Sequence, residues 1–198
     1  MEISADAISK YIPYYLTQPQ KEGLVKALEE FPTCNYYSSL EHEGILQGDV
    51  WTGLQVVNFE SGERRAKRGI IISNSCDIDS RNQRALPVRL VFAPMLTLSV
   101  YKELLERNGV AKEKVENQLR QIRRQGLTSI FYLPQGRGMD SEYIVLFDDL
   151  HNLPVSYFEK SEKPVKILSL SQVGFYIFIM KLSMHFCRMH EQEVRTSL

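Results

Sequence analysis

Short apolar runs separated by polar turns fill the middle of the chain and predict strands. Residues 50–59 supply β-branched and aromatic side chains, and residues 69–72 form an apolar run typical of a strand covered on both faces. Between them, residues 62–67 predict a basic loop, and residues 73–80 predict a polar turn. Residues 86–93 alternate apolar and polar side chains, which predicts another strand with one mostly buried face.

The period of the apolar residues changes after Pro94, which is predicted to end that strand. Ser99 is predicted to cap a helix over residues 100–108, and Gly109 suits its C-terminus. A second helix is predicted over residues 111–125, because its apolar residues recur at spacings of four and three. These apolar residues are Val115, Leu119 and Ile122. The two helices predict a hairpin inserted between strands.

Strand patterns resume at residues 129–133, 142–147 and 151–158, and a charged loop follows over residues 160–166. The last predicted helix covers residues 171–193 and is apolar on nearly all sides. A helix with this pattern is buried or shared with a partner chain.

The N-terminal residues predict a helical arm that packs against the strands. Residues 4–16 begin as a short helix, and Thr17 is predicted to cap a second helix. The apolar stripe of that second helix consists of Leu24, Val25, Leu28 and Phe31. The arm is too small to bury a core alone.

These elements predict a single α+β domain, built on a small, partly open antiparallel β-barrel. The predicted division of the chain is a helical arm at 1–43, barrel strands at 44–97 and 128–158, a helical insertion at 98–127 and a C-terminal helix at 165–198.

The formal net charge of zero hides an uneven distribution of charge along the chain. Residues 1–50 carry a net charge of −5, whereas residues 51–100 and 101–127 each carry +3. A basic middle behind an acidic arm is consistent with an anion-binding face, and equally with ordinary solvated loops and helices.

The three cysteines are far apart and form no CxxC pair, which predicts reduced thiols in a cytoplasmic protein without a metal site or cofactor. His185 and His190 are five residues apart, a poor spacing for a shared ligand set. Neither a signal peptide nor a stretch long enough to span a membrane is expected. Cys76 and Asp77 are interpreted as a packed thiol and a turn-stabilising carboxylate, because no histidine lies nearby in sequence to act as a base.

Two short motifs carry a resemblance to a known family. Residues 48–51 (Gly-Asp-Val-Trp) open the first predicted strand, and Arg68 directly precedes an apolar strand after a charged loop. In these features the chain resembles the MazF/PemK (CcdB-like) toxins. The resemblance implies an SH3-like barrel, a homodimer, an antitoxin partner and, in catalytic members, metal-independent endoribonuclease cleavage of single-stranded RNA.

The same resemblance implies functional residues. Arg68 matches the family's arginine by position and would stabilise phosphate charge, with Glu63 as the nearest acid and Thr97 as the nearest hydroxyl. Gly69 stands where the family has proline. The residues predicted to bind nucleic acid are Arg64, Arg65, Lys67, Arg81 and Arg84.

A second hypothesis stays open. The chain would then be a non-catalytic SH3-like module that binds a protein partner through the helical hairpin or the C-terminal helix. Tyr36, Tyr37 and Trp51 would serve core packing in preference to base stacking under either hypothesis.

Overall fold

Seven strands form one antiparallel sheet in the computed structural model, which describes residues 18–29, 35–40, 42–79, 81–82, 84–160 and 164–187. The strands are β1 (Val50–Val57), β2 (Arg64–Ile71), β3 (Arg89–Thr97), β4 (Ile130–Leu133), β5 (Tyr143–Leu146), β6 (His151–Pro154) and β7 (Lys166–Leu168). Their order is β4-β5-β3-β2-β1-β7, and β6 pairs with β3. The sheet is therefore open along this path, with β4 and β7 at its ends.

Helices cover this sheet, so the predicted α+β class is confirmed. They are α1 (Gln18–Glu29), α2 (Ser75–Ile78), α3 (Leu98–Arg107), α4 (Lys112–Arg123), α5 (Val155–Lys160) and α6 (Gln172–Phe186). No helix in the described part of the chain is long and apolar enough to cross a membrane. The predicted helix over residues 4–16 and the end of the C-terminal helix beyond 187 lie outside the described residues.

The basic segment predicted as a loop at residues 62–67 is largely strand. Arg64 begins β2 and pairs with Val57, and the ladder continues to Lys67 opposite Leu54. The prediction was wrong because charged residues have low strand propensity, whereas β1 requires a partner for its backbone groups over its whole length. The following polar turn is also partly wrong, since Ser75–Ile78 form the short helix α2 with Asn74 as its N-cap.

Pro94 does not end the third strand, which continues to Thr97. One segment of β3 pairs with β6, up to Phe92, and another pairs with β5, from Met95 onward. Pro94 lies between these two segments, where a missing backbone N–H is tolerated. Thr97, not Ser99, is the N-cap of α3, and its hydroxyl accepts a hydrogen bond of 3.3 Å from the N–H of Val100.

Two boundaries near the C-terminus were also predicted incorrectly. Residues 151–158 contain only the short strand β6, because the chain turns into helix α5 at Val155. Residues 166–168 were predicted to lie in a loop and in the C-terminal helical region. They instead form β7, which pairs with Val50 and Trp51. Both errors come from pairing between distant parts of the chain, which leaves no local pattern in sequence.

The sheet separates two hydrophobic clusters. Neighbouring residues of a strand point to opposite faces, so Ile70 and its partner Val50 enter one cluster while Ile71 enters the other. A bulge in β1 between Trp51 and Leu54 turns Leu54 toward the second cluster as well. The first cluster includes α4 and α6 residues, and the second includes Phe158 of α5. The predicted apolar stripe of α4 is confirmed, because Val115, Leu119 and Ile122 are all buried.

Candidate functional site

Arg68 lies directly before the part of β2 that pairs with β3. It contacts two residues that are 72 and 75 positions farther along the chain. Its Nη1 donates hydrogen bonds of 2.9 Å to Oδ1 of Asp140 and 2.7 Å to the hydroxyl of Tyr143. The Tyr143 hydroxyl in turn donates to the same Asp140 oxygen at 2.7 Å. The guanidinium carbon also lies 5.7 Å from the centroid of the Tyr143 ring. We call these three residues the Arg68 cluster.

The sheet brings the cluster together. β2 pairs with β3, and β3 pairs with β5, so Arg68 and Tyr143 share one face although they are 75 residues apart in sequence. Asp140 comes from the turn that connects β4 to β5. The backbone of this turn has positive φ at Gly136, Arg137 and Gly138, a conformation that a non-glycine residue such as Arg137 adopts rarely.

The charge states of the cluster follow from its hydrogen bonds. The bonds from Tyr143 and Arg68 lower the pKa of the Asp140 carboxyl, so it is ionised at neutral pH. Burial and the hydrogen bond to Asp140 raise the pKa of the Tyr143 hydroxyl, which therefore keeps its proton. The pKa of Arg68 is raised, chiefly by its hydrogen bond to Asp140.

The cluster is open to solvent. The Arg68 side chain is 39% exposed and the Asp140 side chain is 63% exposed. Among the described residues, only Nη1 of Arg68 makes hydrogen bonds, which leaves Nε and Nη2 available to an anion. Because a guanidinium presents several donors in a planar fork, one held nitrogen is compatible with a phosphate on the others.

The predicted acid and hydroxyl occupy other positions. Glu63 forms an ion pair of 2.8 Å with Arg65 in the exposed turn before β2, and the acid beside Arg68 is Asp140 instead. Thr97 is the register partner of Tyr143, and its hydroxyl caps α3. Sequence reasoning missed Asp140 and Tyr143 because neither belongs to a motif with Arg68.

Of the five predicted basic residues, Arg65 pairs with Glu63, and the other four fall into two groups. Arg64 and Lys67 are exposed on β2 and make no ion pair or hydrogen bond with the described part of the chain. In contrast, Arg81 pairs with Asp79 at 2.7 Å and Arg84 pairs with Asp77 at 2.8 Å, in the segment after α2. Arg81 lowers the pKa of Asp79 to about 2 through its hydrogen bonds. Arg81 and Arg84 are thus already neutralised and lie on another element.

A second concave region lies beside α2. It is an open cleft of about 510 Å³ whose lining includes Cys76, Glu43 and Glu159. Cys76 is exposed, and Asp77 pairs with Arg84, so the interpretation of a packed thiol with a turn-stabilising Asp77 was wrong. Asn74 instead accepts the hydrogen bond from the N–H of Cys76. No group of three or more metal-ligating side chains occurs within the described ranges.

The aromatic residues considered for base stacking are used in packing, as predicted. Tyr36 and Tyr37 are buried in the first hydrophobic cluster. Trp51 packs edge-to-face on Phe158, with ring centroids 5.6 Å apart, and Nζ of Lys166 lies 5.4 Å from its centroid.

Comparison with known proteins returned no matching family model and no matching curated protein.

Proposed function

We propose that this chain is a MazF/PemK-like RNA-binding protein with an SH3-like core, and that Arg68 contacts the phosphates of single-stranded RNA. The observation that carries the proposal is the Arg68 guanidinium. Asp140 and Tyr143 orient it through Nη1, its other two nitrogens make no hydrogen bond with the described residues, and the side chain is 39% exposed. An oriented, solvent-exposed guanidinium is well suited to bind phosphate.

The surroundings of Arg68 favour a polyanion over a single small anion. Alternate residues of a strand share a face, so Arg64 lies on the same face of β2 as Arg68. These positions are four residues apart, which corresponds to about 13 Å along a strand. Two cations at this spacing are expected to contact different phosphates of one extended chain, with a salt-dependent contribution from each.

An SH3-like core is supported by the arrangement around β3. This long strand pairs with β2 on one edge and with both β5 and β6 through different segments. Phe92 pairs with His151 and Met95 pairs with Val145, so the chain from β5 to β6 has three more residues than the segment of β3 opposite it. Extra residues of this kind are consistent with a strand that bends sharply. Sharp bends in long strands are how small sheets curl toward closure.

The same cluster is poorly suited to cleavage of the bound RNA. Cleavage without a metal needs a base to accept the 2′-hydroxyl proton and an acid to protonate the leaving 5′-oxygen. Asp140, as the base, has a lowered pKa, and Tyr143, as the acid, has a raised pKa. Both shifts oppose proton transfer near neutral pH, and we therefore propose binding rather than catalysis.

The helices that favoured a protein-binding module bury much of their apolar surface within the chain, although Val100, Leu104 and Phe186 remain exposed. Ile177, Phe178 and Met180 of α6 are buried, as are Val115 and Leu119 of α4. No specific contact favours a protein partner over RNA at these elements.

Arg68→Ala is expected to weaken binding of a short, mixed-sequence single-stranded RNA by about tenfold, because one charge-assisted contact to phosphate is lost. The slope of log affinity against log salt concentration should fall by about 0.7, the value for one phosphate contact on a single strand. Fluorescence anisotropy at several salt concentrations measures both quantities. Electrophoresis of the same RNA after incubation reports cleavage, which we expect to be absent.

Arg107→Ala is the matched control, since it removes an exposed arginine from the last turn of α3, where Arg107 pairs with Glu103. It should leave the affinity and the salt slope unchanged. The proposal fails when the wild-type protein shows no salt-sensitive RNA binding, or when Arg68→Ala binds as the wild type does.

Asp140→Asn is expected to tighten RNA binding by up to about fivefold, because the carboxylate competes with phosphate for Arg68. Anisotropy at low salt gives the affinity. Glu113→Gln on α4 removes one negative charge from a position outside the cluster, and it controls for the general effect of net charge. Equal gains in both variants, or weaker binding by Asp140→Asn, would contradict competition at Arg68.

A further inference from the structure

Beyond the Arg68 cluster, β1 and β2 leave the sheet as a two-stranded ribbon. Within the part of the chain that the structure describes, Leu54–Val57 and Arg64–Lys67 pair with each other and with no third strand. The neighbouring strands stop short of them, since β3 pairs with β2 at Gly69–Ile71 and β7 pairs with β1 at Val50 and Trp51. We call residues 54–67 the distal ribbon.

A bulge separates the distal ribbon from the sheet. The register between β1 and β2 shifts between Trp51 and Leu54, and Gly53 within this interval has φ of +77°. A bulge of this kind increases the local twist and redirects the strands that follow. The backbone conformation at the bulge therefore sets the direction of the ribbon, and Leu54 remains packed in the second hydrophobic cluster.

The turn at the end of the ribbon is tightly hydrogen-bonded. Oδ1 of Asn58 accepts from the N–H groups of Glu60 and Ser61, at 2.9 and 3.1 Å. The backbone of Asn58 also bonds to Gly62 and Glu63, at 2.8 and 2.9 Å. These bonds hold Phe59 at the apex of the turn.

Phe59 is 93% exposed, the highest value for any large hydrophobic side chain in the described ranges. Five other phenylalanines of the chain are fully buried, namely Phe92, Phe131, Phe147, Phe158 and Phe178. An aromatic ring on a rigid turn, with no packing partner in the described residues, offers both of its faces to a ligand.

We infer that Phe59 stacks on an unpaired base of single-stranded RNA whose phosphates follow Arg64 and Arg68 on one face of β2. The inference rests on the proposed function and adds the group that recognises the bases. Residues 54–67 carry three basic residues against Glu60 and Glu63, a net charge of +1, and neither Arg64 nor Lys67 forms an ion pair with the described residues. This positive charge favours a polyanionic ligand over an apolar protein surface. The bases of a duplex are already stacked on each other, so the ribbon selects single strands.

The stacking is independent of base identity, because every base has a π-face. The ribbon therefore contributes affinity for unpaired nucleotides, and it contributes little to sequence preference. Phosphate contacts by Arg68 and base contacts by Phe59 are separable, since only the former release counterions.

The test combines protein variants with a modified RNA that carries 2-aminopurine, a fluorescent base, at one position. Wild-type protein should quench the 2-aminopurine fluorescence, and Phe59→Ala should bind about tenfold more weakly with reduced quenching. Phe59→Trp should restore both, whereas the salt slope should be the same in all three proteins. Because Phe59 is exposed, none of these variants should lose the fold, which far-UV circular dichroism checks.

An RNA with abasic sites supplies the decisive comparison. Wild-type protein should bind abasic RNA about as weakly as Phe59→Ala binds intact RNA, and Phe59→Ala should lose nothing further on abasic RNA. Leu86→Ala removes another apolar side chain, 79% exposed outside the ribbon, and should bind as the wild type does. Equal binding of intact RNA by Phe59→Ala and wild type overturns the stacking inference. So does an equal loss by Phe59→Ala on intact and abasic RNA, or a partner that proves to be a protein.

The two proposals fail in different ways. If Phe59→Ala weakens binding while Arg68→Ala does not, the phosphate site at Arg68 is wrong and the stacking inference stands. If only Arg68→Ala weakens binding, the stacking inference is wrong. Absence of any RNA binding by wild-type protein overturns both.

Discussion

Asp49→Ala is expected to lower the free energy of unfolding by about 3 to 5 kcal/mol, because it breaks a buried ion pair by removing one partner. The Asp49 side chain is only 1% exposed, and Oδ2 accepts from Nζ of Lys166 at 2.8 Å and from the N–H of Leu46 at 2.9 Å. Its other oxygen accepts from the Ser169 hydroxyl at 2.6 Å. Alanine would leave all three donors without this acceptor.

Urea denaturation followed by circular dichroism measures this loss. The double variant Asp49→Ala, Lys166→Met should be more stable than Asp49→Ala alone, since it also removes the unpaired ammonium. Asp77→Ala is the matched control, because Asp77 pairs with Arg84 on the surface and its removal should change little. A small loss for Asp49→Ala, similar to that of Asp77→Ala, would contradict this account.

The role of Asp49 bears on the motif at residues 48–51. Asp49 ties the start of β1 to the residues around β7, and its burial keeps it away from any RNA. Gly48 has φ of +85°, and a Cβ there would lie 3.1 Å from a side-chain carbon of Leu170. Gly48 and Asp49 therefore stabilise the fold, and Arg68 is the residue that we propose contacts phosphate.

Lys181→Met is expected to lower the free energy of unfolding by about 2 to 4 kcal/mol, because it removes a hydrogen-bond donor from the buried backbone oxygens of Gln125 and Ile130. Nζ of Lys181 donates to the backbone oxygen of Gln125 at 3.0 Å and to its side-chain oxygen at 2.8 Å. The backbone oxygen of Ile130 is a third acceptor within reach of Nζ, and the neutral amine donates to two of these three oxygens at a time. Methionine preserves the volume of the side chain, so the loss reports the hydrogen bonds.

The contribution of Lys181 to the free energy of unfolding is also expected to depend on pH. Burial lowers the pKa of Lys181 well below its ordinary value of 10.5. At a pH between the lowered pKa of the folded protein and the ordinary pKa of 10.5, Lys181 is protonated in the unfolded chain and neutral in the folded protein. The unfolded chain then binds more protons, and the stability that Lys181 contributes therefore rises with pH. The stability gap between wild type and Lys181→Met should widen as the pH is raised toward 10.5. Urea denaturation across this range measures the gap, and a gap independent of pH would contradict a lowered pKa.

Local sequence patterns predicted those elements whose contacts repeat along their own length. The stripe of Val115, Leu119 and Ile122 predicted α4 because one face of the helix is buried. The β-branched residues of β1 predicted a strand for a similar reason. Elements stabilised mainly by a distant partner were missed, as with the charged start of β2 and the three residues of β7.

By itself, the sequence determined the α+β composition, the helical hairpin and the position of Arg68 between a basic segment and an apolar strand. Only the tertiary structure decided what surrounds Arg68. Asp140 and Tyr143 lie 72 and 75 residues farther along the chain, and strand pairing brings them to the guanidinium. Likewise, Arg65 pairs with Glu63 whereas Arg64 has no ion-pair partner among the residues that the structure describes, because each pairing depends on which acid lies within reach. Hydrogen bonds and ion pairs depend on distances in space, and a local sequence pattern constrains only the distances along its own element.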